Sequence, residues 1–451
     1  MNGLETRSIT LNMLIRINED GAFSHLLMRE TLAKLGHYSQ RDKALIKRLT
    51  EGTLEQQIQI DYIINQFAKI PVEKMKPLIR NLLRLSVYQI IFMTNIPDRA
   101  ACDEAVKLAA KRGFSSLKGF INGILRNISR NKENLKLPNE ADEPVNYLSV
   151  YYSIPVWIIE KWLKEYDYEQ TKSICRGLLE VKPVTVRLHN KPSAKQVEDW
   201  QNKIKTTGTE VKRHPYLDYA YELNCIENIA DLPCFQAGFL TVQDVSSMLV
   251  CEAAGIKPED IVIDVCAAPG GKALHAAERA KKVIARDISE TKCNYIRENA
   301  SRLKQTNLEI SVYDASKLDV SLINKADILL ADLPCSGLGV IGKKPDIKYK
   351  LSPDSISGLC DLQRRILSTI WQYVKPGGIL LYSTCTINQD ENEKMMAWFV
   401  ANFPFIYEQL PERLADLTQG KSQNGILQLF PGIHLADGFF ICRLKRLKET
   451  N

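Results

Sequence analysis

No Cys-x-x-Cys pair occurs anywhere in this 451-residue chain, although it holds 11 cysteines. Their odd number and wide scatter argue against a zinc ribbon or a disulfide framework, and for a reducing cytoplasm. Histidine is scarce. The 6 present (His25, His37, His189, His214, His275 and His434) form no His-x-x-x-His pair, so no metal is expected. No apolar run approaches the roughly 18 residues that cross a bilayer, so no membrane contact is expected. The start, Met1-Asn2-Gly3-Leu4-Glu5-Thr6-Arg7, has neither the basic nor the apolar part of a secretion signal. Strong charge of one sign is also missing, but the net +7 is unevenly placed. Residues 1–140 carry 22 Lys/Arg against 14 Asp/Glu, and the remainder 38 against 39. A basic front end on a neutral body fits one domain docking on polyanion and another doing chemistry. It equally fits a helical surface that happens to be basic.

What is present divides the chain into three. Residues 1–140 read as an all-helical bundle, with apolar residues at helical spacing in Leu11, Leu14 and Ile15 and in Leu45, Ile46 and Leu49. The run 77–92 is apolar around most of its circumference, as the central helix of a bundle is. Pro71 and Pro77 break the preceding helices, and Pro97-Asp98 opens the next. The last helix, 117–128, and the residues just past it carry Lys118, Asn122, Arg126 and Arg130 on one face. That face suits RNA phosphates and is equally explained as the wet side of a helix. Residues 132–144 read as a linker.

Residues 147–235 read as a small α+β module: a helical pattern over 155–180, a strand over 184–188, a helix over 194–204, and short strands near 210–211 and 219–223. In residues 240–447 strands (261–265, 283–287, 309–313, 328–331, 379–382) alternate with helices. This is the pattern of an α/β fold with a doubly wound parallel sheet. Two further strands, 427–430 and 438–443, are expected as an antiparallel edge pair.

Two cysteines close strands of that sheet. Cys335 follows 326–331 (ADILLA) within Asp332-Leu333-Pro334-Cys335-Ser336-Gly337, and Cys385 follows 378–382 (GILLY) within Tyr382-Ser383-Thr384-Cys385-Thr386. The carboxyl ends of such strands are where ligands meet chemistry. Two thiols there, one beside an aspartate and a proline, point to nucleophilic chemistry; two small core residues are the plain alternative.

After the first strand comes Asp264-Val265-Cys266-Ala267-Ala268-Pro269-Gly270-Gly271-Lys272. Its paired glycines let a ligand approach backbone N–H groups at a helix start. It is not a P-loop, because Ala273 stands where Ser or Thr would hold magnesium. Asp287 ends the second strand, where an acid can bind both ribose hydroxyls, and Asp314 ends the third, within reach of an adenine. Two acids suit a nucleoside without phosphates. S-adenosylmethionine is one, and Asp332 could help hold its sulfonium. The loop 337–343 matches both Gly-x-Gly-x-x-Gly and most of a P-loop, but Lys344-Pro345 blocks a helix there. It is read as a flexible loop over the site.

These motifs, CAAPGGK (266–272), DLPCSG (332–337), KPDIKY (344–349), STCTINQDEN (383–392) and DGFF (437–440), resemble those of the RNA cytosine-C5 methyltransferases of the Nop/Sun class. The front end, with LRLSVYQIIFM (83–93) and INGILRNI (121–128), is similar to the RNA-binding fold of the antitermination factor NusB. The two together resemble the B-type 16S rRNA (cytosine-C5)-methyltransferases over nearly the whole chain; the middle segment matches more loosely, around Arg187 and Gln243-Asp244.

The resemblance implies S-adenosylmethionine as cofactor, bound by Cys266, Ala267, Ala268, Pro269, Gly270, Gly271, Lys272, Asp287, Asp314 and Asp332. It implies 16S rRNA as substrate, with no protein partner and a monomer expected. Cys385 is then the nucleophile that adds to cytosine C6, and Cys335 the residue that helps release product. Asp332 activates the ring, and Lys272 positions the target or polarises the site. DNA cytosine methyltransferases attack with the Pro-Cys thiol instead, so the presence of both motifs is the discriminating feature. The same chemistry on tRNA, a non-catalytic assembly factor and a nicotinamide oxidoreductase are the competing readings.

Overall fold

The computed structural model describes residues 3–224, 229–418 and 425–448. Met1 and Asn2, read above for a secretion signal, lie outside them. The chain divides into two compact units: Met1–Glu180 with Ile341–Lys350, and Val181–Val340 with Leu351–Asn451.

The first unit is helical. Its core is the helix Pro77–Phe92, with proline at its start, where a missing N–H costs no intrahelical bond. Leu82, Leu83, Val87 and Tyr88 on it are wholly buried among Leu11, Leu14, Ile46, Leu49, Ile60 and Ile64. Each fully buried aliphatic side chain is worth about 1.5–3 kcal/mol, and together they hold the bundle around this helix. The helix Lys118–Asn131 buries Ile121, Ile124, Leu125 and Ile128 and leaves Lys118, Arg126 and Arg130 exposed. Residues 147–180, expected within the α+β module, belong to this unit as the helices Pro144–Tyr151, Val156–Glu165 and Tyr168–Leu179.

So does the segment Ile341–Lys350, which carries the whole KPDIKY motif. Its polar groups are satisfied there. Asp346 accepts from Ser24 N at 3.1 Å and Lys350 Nζ at 2.7 Å. Lys348 Nζ donates to the Glu55 carbonyl at 2.8 Å, and Tyr349 Oη to the Leu54 carbonyl at 2.8 Å. Burial lowers the Lys348 pKa to about 7.

The second unit holds two sheets. The small antiparallel one is built from β1 (Val184–Leu188), β2 (Glu210–Arg213), β3 (Ala220–Asn224) and β4 (Leu240–Val242) in the order β2-β3-β1-β4. Strand β4 was not expected; three residues are too few to show alternation, and its pairing with β1 places it. The helix Ala194–Lys205 opens on a Ser193–Gln196 capping box. Arg187, wholly buried on β1, donates to Gln243 Oε1 at 2.8 Å and pairs with Glu278, tying the small sheet to the end of the helix Gly271–Ala277.

The large sheet contains β5 (Ile261–Asp264), β6 (Lys282–Asp287), β7 (Leu308–Val312), β8 (Ala326–Asp332), β9 (Val374–Thr384), β10 (Phe405–Tyr407), β11 (Ile426–Leu429) and β12 (Phe439–Arg446). Its order is β10-β12-β9-β8-β5-β6-β7, with β11 also on β12. Strands β9, β8, β5, β6 and β7 are parallel, as expected for the doubly wound fold. The expected edge pair is a correction. β11 and β12 do pair antiparallel, but β12 also lies against β9 and β10 and is an interior strand. Its buried run Phe439–Cys442 requires cover on both faces and both edges. Among the described residues no helix is long and apolar enough to cross a membrane, and the ten described cysteines are in no disulfide.

Candidate active site

Strands β8 and β9 run parallel and pair Asp332 with Ser383. That register delivers both cysteines to one rim. Cys335 lies three residues past the end of β8 and Cys385 directly after β9, and their Sγ atoms are 3.3 Å apart. This is a hydrogen-bonding distance, well beyond the roughly 2.05 Å of a disulfide. The hydrogen bond to Cys385, burial, and the nearby charges of Glu391 and Asp332 push the Cys335 thiol well above its ordinary pKa.

Asp332 faces the same rim with both oxygens engaged. Ser383 Oγ donates to Oδ1 at 2.8 Å and Lys272 Nζ to Oδ2 at 2.6 Å. Burial works against the Lys272 charge, but Asp332, Asp264 and Cys385 outweigh it and raise its pKa. The ammonium also lies 5.2 Å from the centre of the Phe439 ring, a cation–π contact supplied by the DGFF motif through β12. The four residues Cys335, Cys385, Asp332 and Lys272 therefore form one contiguous group.

The loop Cys266–Lys272 leaves β5, the strand beside β8. Gly270 stands at φ +108° before the helix Gly271–Ala277, a conformation closed to ordinary L-residues. Asp287, at the end of β6, accepts from Ala268 N at 3.0 Å and Ile288 N at 2.8 Å and pairs with Lys292 at 3.1 Å. Asp314, two residues past β7, lies on the same rim, but its hydrogen bonds are local. Ser316 N and Oγ donate to it at 3.0 and 2.7 Å and lower its pKa.

Several residues escaped the sequence reading. Asp264 ends β5, 1% exposed, with Oδ1 accepting from Cys266 N at 3.3 Å and Oδ2 without a partner among the described residues. Burial first, then the Asp332 charge, raises its pKa to about 7. Such a buried acceptor calls for a donor, and a bound amino or hydroxyl group would supply one. With the glycine cradle and Asp287, these residues fit a nucleoside carrying cationic groups. Ser383 and Glu391 were the other omissions; both sit inside the STCTINQDEN motif, and their signal was the motif itself.

The loop 337–343 is corrected. Ser336 to Gly339 are buried, and Gly438 N donates to the Gly339 carbonyl at 3.0 Å. A Cβ on Gly339 would lie 2.0 Å from Gly438 O, so this glycine serves close packing rather than flexibility or a phosphate.

The mostly parallel sheet, with its glycine loop after β5, is a methyltransferase domain, and a NusB-like helical domain precedes it in the chain. Residues 253–445 match the family described as 16S rRNA methyltransferase RsmB/F, and residues 4–130 match the NusB family. The chain is 36% identical over 452 residues to the probable ribosomal RNA small subunit methyltransferase B of Bacillus subtilis (strain 168), covering 99% of this chain and 100% of that one. It is 30% identical to the corresponding protein of Synechocystis sp. (strain ATCC 27184 / PCC 6803 / Kazusa), over 98% of this chain and 100% of the other. The crystal structure of PH0851 covers 99% of both chains at 25% identity with a TM-score of 0.80. The chain belongs to the ribosomal RNA small subunit methyltransferase B family.

Proposed function

We propose that this protein transfers a methyl group from S-adenosylmethionine to C5 of a cytidine in 16S rRNA through a covalent Cys385–C6 adduct. The observation that carries the reading is the 3.3 Å approach of two thiols beside an aspartate held by a lysine. The resemblance places the attacking thiol on the Thr-Cys motif, so Cys385 is the sulfur assigned to attack. Its bond to C6 makes C5 nucleophilic; C5 takes the methyl group and S-adenosylhomocysteine leaves, a base removes the C5 proton, and the C6–S bond breaks to return the Cys385 thiolate. Asp332 hydrogen-bonds the cytosine N3 or N4 edge, and Lys272 holds Asp332 in place. Cys335 assists release of the sulfur.

When bound, S-adenosylmethionine supplies the electrophilic methyl. Residues 266–272, Asp287 and Asp314 hold it in this reading, Asp332 faces its sulfonium, and the unpartnered oxygen of Asp264 accepts a donor. The target base leaves its stack to reach these groups. Lys118, Arg126 and Arg130 offer the phosphate-binding face, and the small sheet of β1–β4 is a second RNA-contacting element. The expected setting is the cytoplasm, away from membranes, with the protein a monomer.

The test is a trapping assay. Wild type, Cys335→Ala and Cys385→Ala proteins are mixed with S-adenosylmethionine and total RNA, and denaturation-resistant adducts are sequenced. An adduct that accumulates with Cys335→Ala and never with Cys385→Ala, attached to 16S rRNA, is expected. Loss of the adduct only with Cys335→Ala would reverse the two roles. Attachment to tRNA would move the substrate.

A further inference from the structure

Glu391 is wholly buried, and no cation is among its described hydrogen-bond partners. Its side chain is instead ringed by donors. Ser336 N (2.8 Å) and Gln363 Nε2 (3.2 Å) donate to Oε1; Ser336 Oγ (2.5 Å) and Asn388 Nδ2 (2.9 Å) donate to Oε2. Four acceptor directions meet four donors, the arrangement a carboxylate requires away from water.

The identity of those donors matters. Ser336 directly follows Cys335, and its hydroxyl also lies 2.8 Å from the hydroxyl of Thr386, which directly follows Cys385. Gly339 N donates to the Cys385 carbonyl at 3.1 Å. Gln363 Nε2 donates at 2.9 Å to the carbonyl of Pro334, on the other side of Cys335. Tyr382 Oη donates at 2.6 Å to the Glu391 carbonyl, fixing the loop that presents the carboxylate. The two thiol-bearing loops are thus stitched together around a single side chain.

We propose that Glu391 is a positioning residue of the reaction: through Ser336 it locks the Pro-Cys loop against the Thr-Cys loop and so sets the approach of the two sulfurs. The inference rests on the proposed roles of Cys335 and Cys385. Its charge also bears on Cys335, whose thiol pKa is raised first by the hydrogen bond to Cys385 and by burial, then by the charges of Cys385, Glu391 and Asp332. Removing the charge while keeping the shape separates this role from packing.

The experiment uses the full-length protein, 16S rRNA transcript and two variants, Glu391→Gln and Glu391→Asp. Methylation kinetics, S-adenosylmethionine affinity and the pH midpoint for alkylation of Cys335, followed by peptide mass spectrometry, are measured for each. Glu391→Gln turns a donor on Ser336 or its neighbours. Its kcat should fall about 100-fold, the scale of a misplacement near 1 Å, with cofactor affinity and the KM for RNA unchanged. The Cys335 midpoint should move down by about one pH unit, because a like charge has gone. Glu391→Asp keeps the charge and should keep the midpoint.

A Glu391→Gln protein with wild-type kcat overturns the proposal, and so does a lowered kcat with an unmoved midpoint, which marks packing alone. Should Glu391→Gln fail to bind cofactor, Ser336→Ala replaces it. Its kcat should then fall about tenfold at intact cofactor affinity, the effect of one buried hydrogen bond, and an unchanged kcat overturns the proposal. An inactive wild type defeats the reading of the two thiols and this inference together; an active wild type with an indifferent variant defeats this inference alone.

Discussion

Asp287 shows how a single residue serves two masters. Its carboxylate accepts from Ala268 N and Ile288 N and pairs with Lys292, so the cofactor loop is braced by the very acid expected to bind the ribose. Asp287→Ala should weaken S-adenosylmethionine binding by about 1–3 kcal/mol, the cost of leaving buried donors unpaired. Calorimetric titration checks this, and unchanged affinity removes Asp287 from the site. Asp287 and the two thiols stand out in the chain because each closes a short apolar run, and the structure puts them at or just past the ends of β6, β8 and β9. Asp264 was not singled out, because a buried carboxyl with one vacant acceptor looks, in a string of letters, like any residue before a loop.

Among elements, β12 does most to build the site. It lies antiparallel to β9 with Phe440 opposite Thr384, and so brings Phe439 beneath Lys272 and Gly438 onto Gly339. The sequence marks β12 as a strand but not as an interior one, since strand order depends on pairing partners far apart in the chain. The close approach of Gly339 and Gly438 yields a prediction of its own. Gly339→Ala would place a Cβ 2.0 Å from Gly438 O, and overpacking of this kind costs about 1–3 kcal/mol. Thermal denaturation should show the loss, and methylation should drop with it because the Pro-Cys loop must shift. A variant as stable and active as wild type would show that the loop yields freely.

At the scale of the whole molecule, the chain crosses its own domain division. Ile341–Lys350 belongs to the helical unit, although the residues on either side belong to the α/β unit. The helical unit therefore extends beyond the first 140 residues of the chain. Lys348 reports on this arrangement. Its folded pKa, lowered by burial from 10.5 to about 7, means that between pH 7 and 10.5 the unfolded chain holds a proton the folded chain lacks. Stability from this group accordingly increases as pH rises through that window. Relative to Lys348→Met, wild type should gain stability between pH 7 and pH 9, measured by denaturant unfolding of the full-length protein. A constant difference would place the ammonium in contact with water or an anion.

Local chemistry carried the sequence reading a long way. Apolar runs ending in Cys, Asp or Gly-Gly are short-range signals, and they were enough to mark the strands, the glycine loop, the two thiols and the basic helix. Their meaning does not depend on what lies opposite. What only the tertiary structure decided depends on partners distant in the chain: the interior place of β12, the docking of 341–350 on helices some three hundred residues earlier, and the ring of donors around Glu391. A buried carboxylate, a close-packed glycine and a lysine at lowered pKa are each defined by their surroundings, and surroundings exist only once the chain has folded.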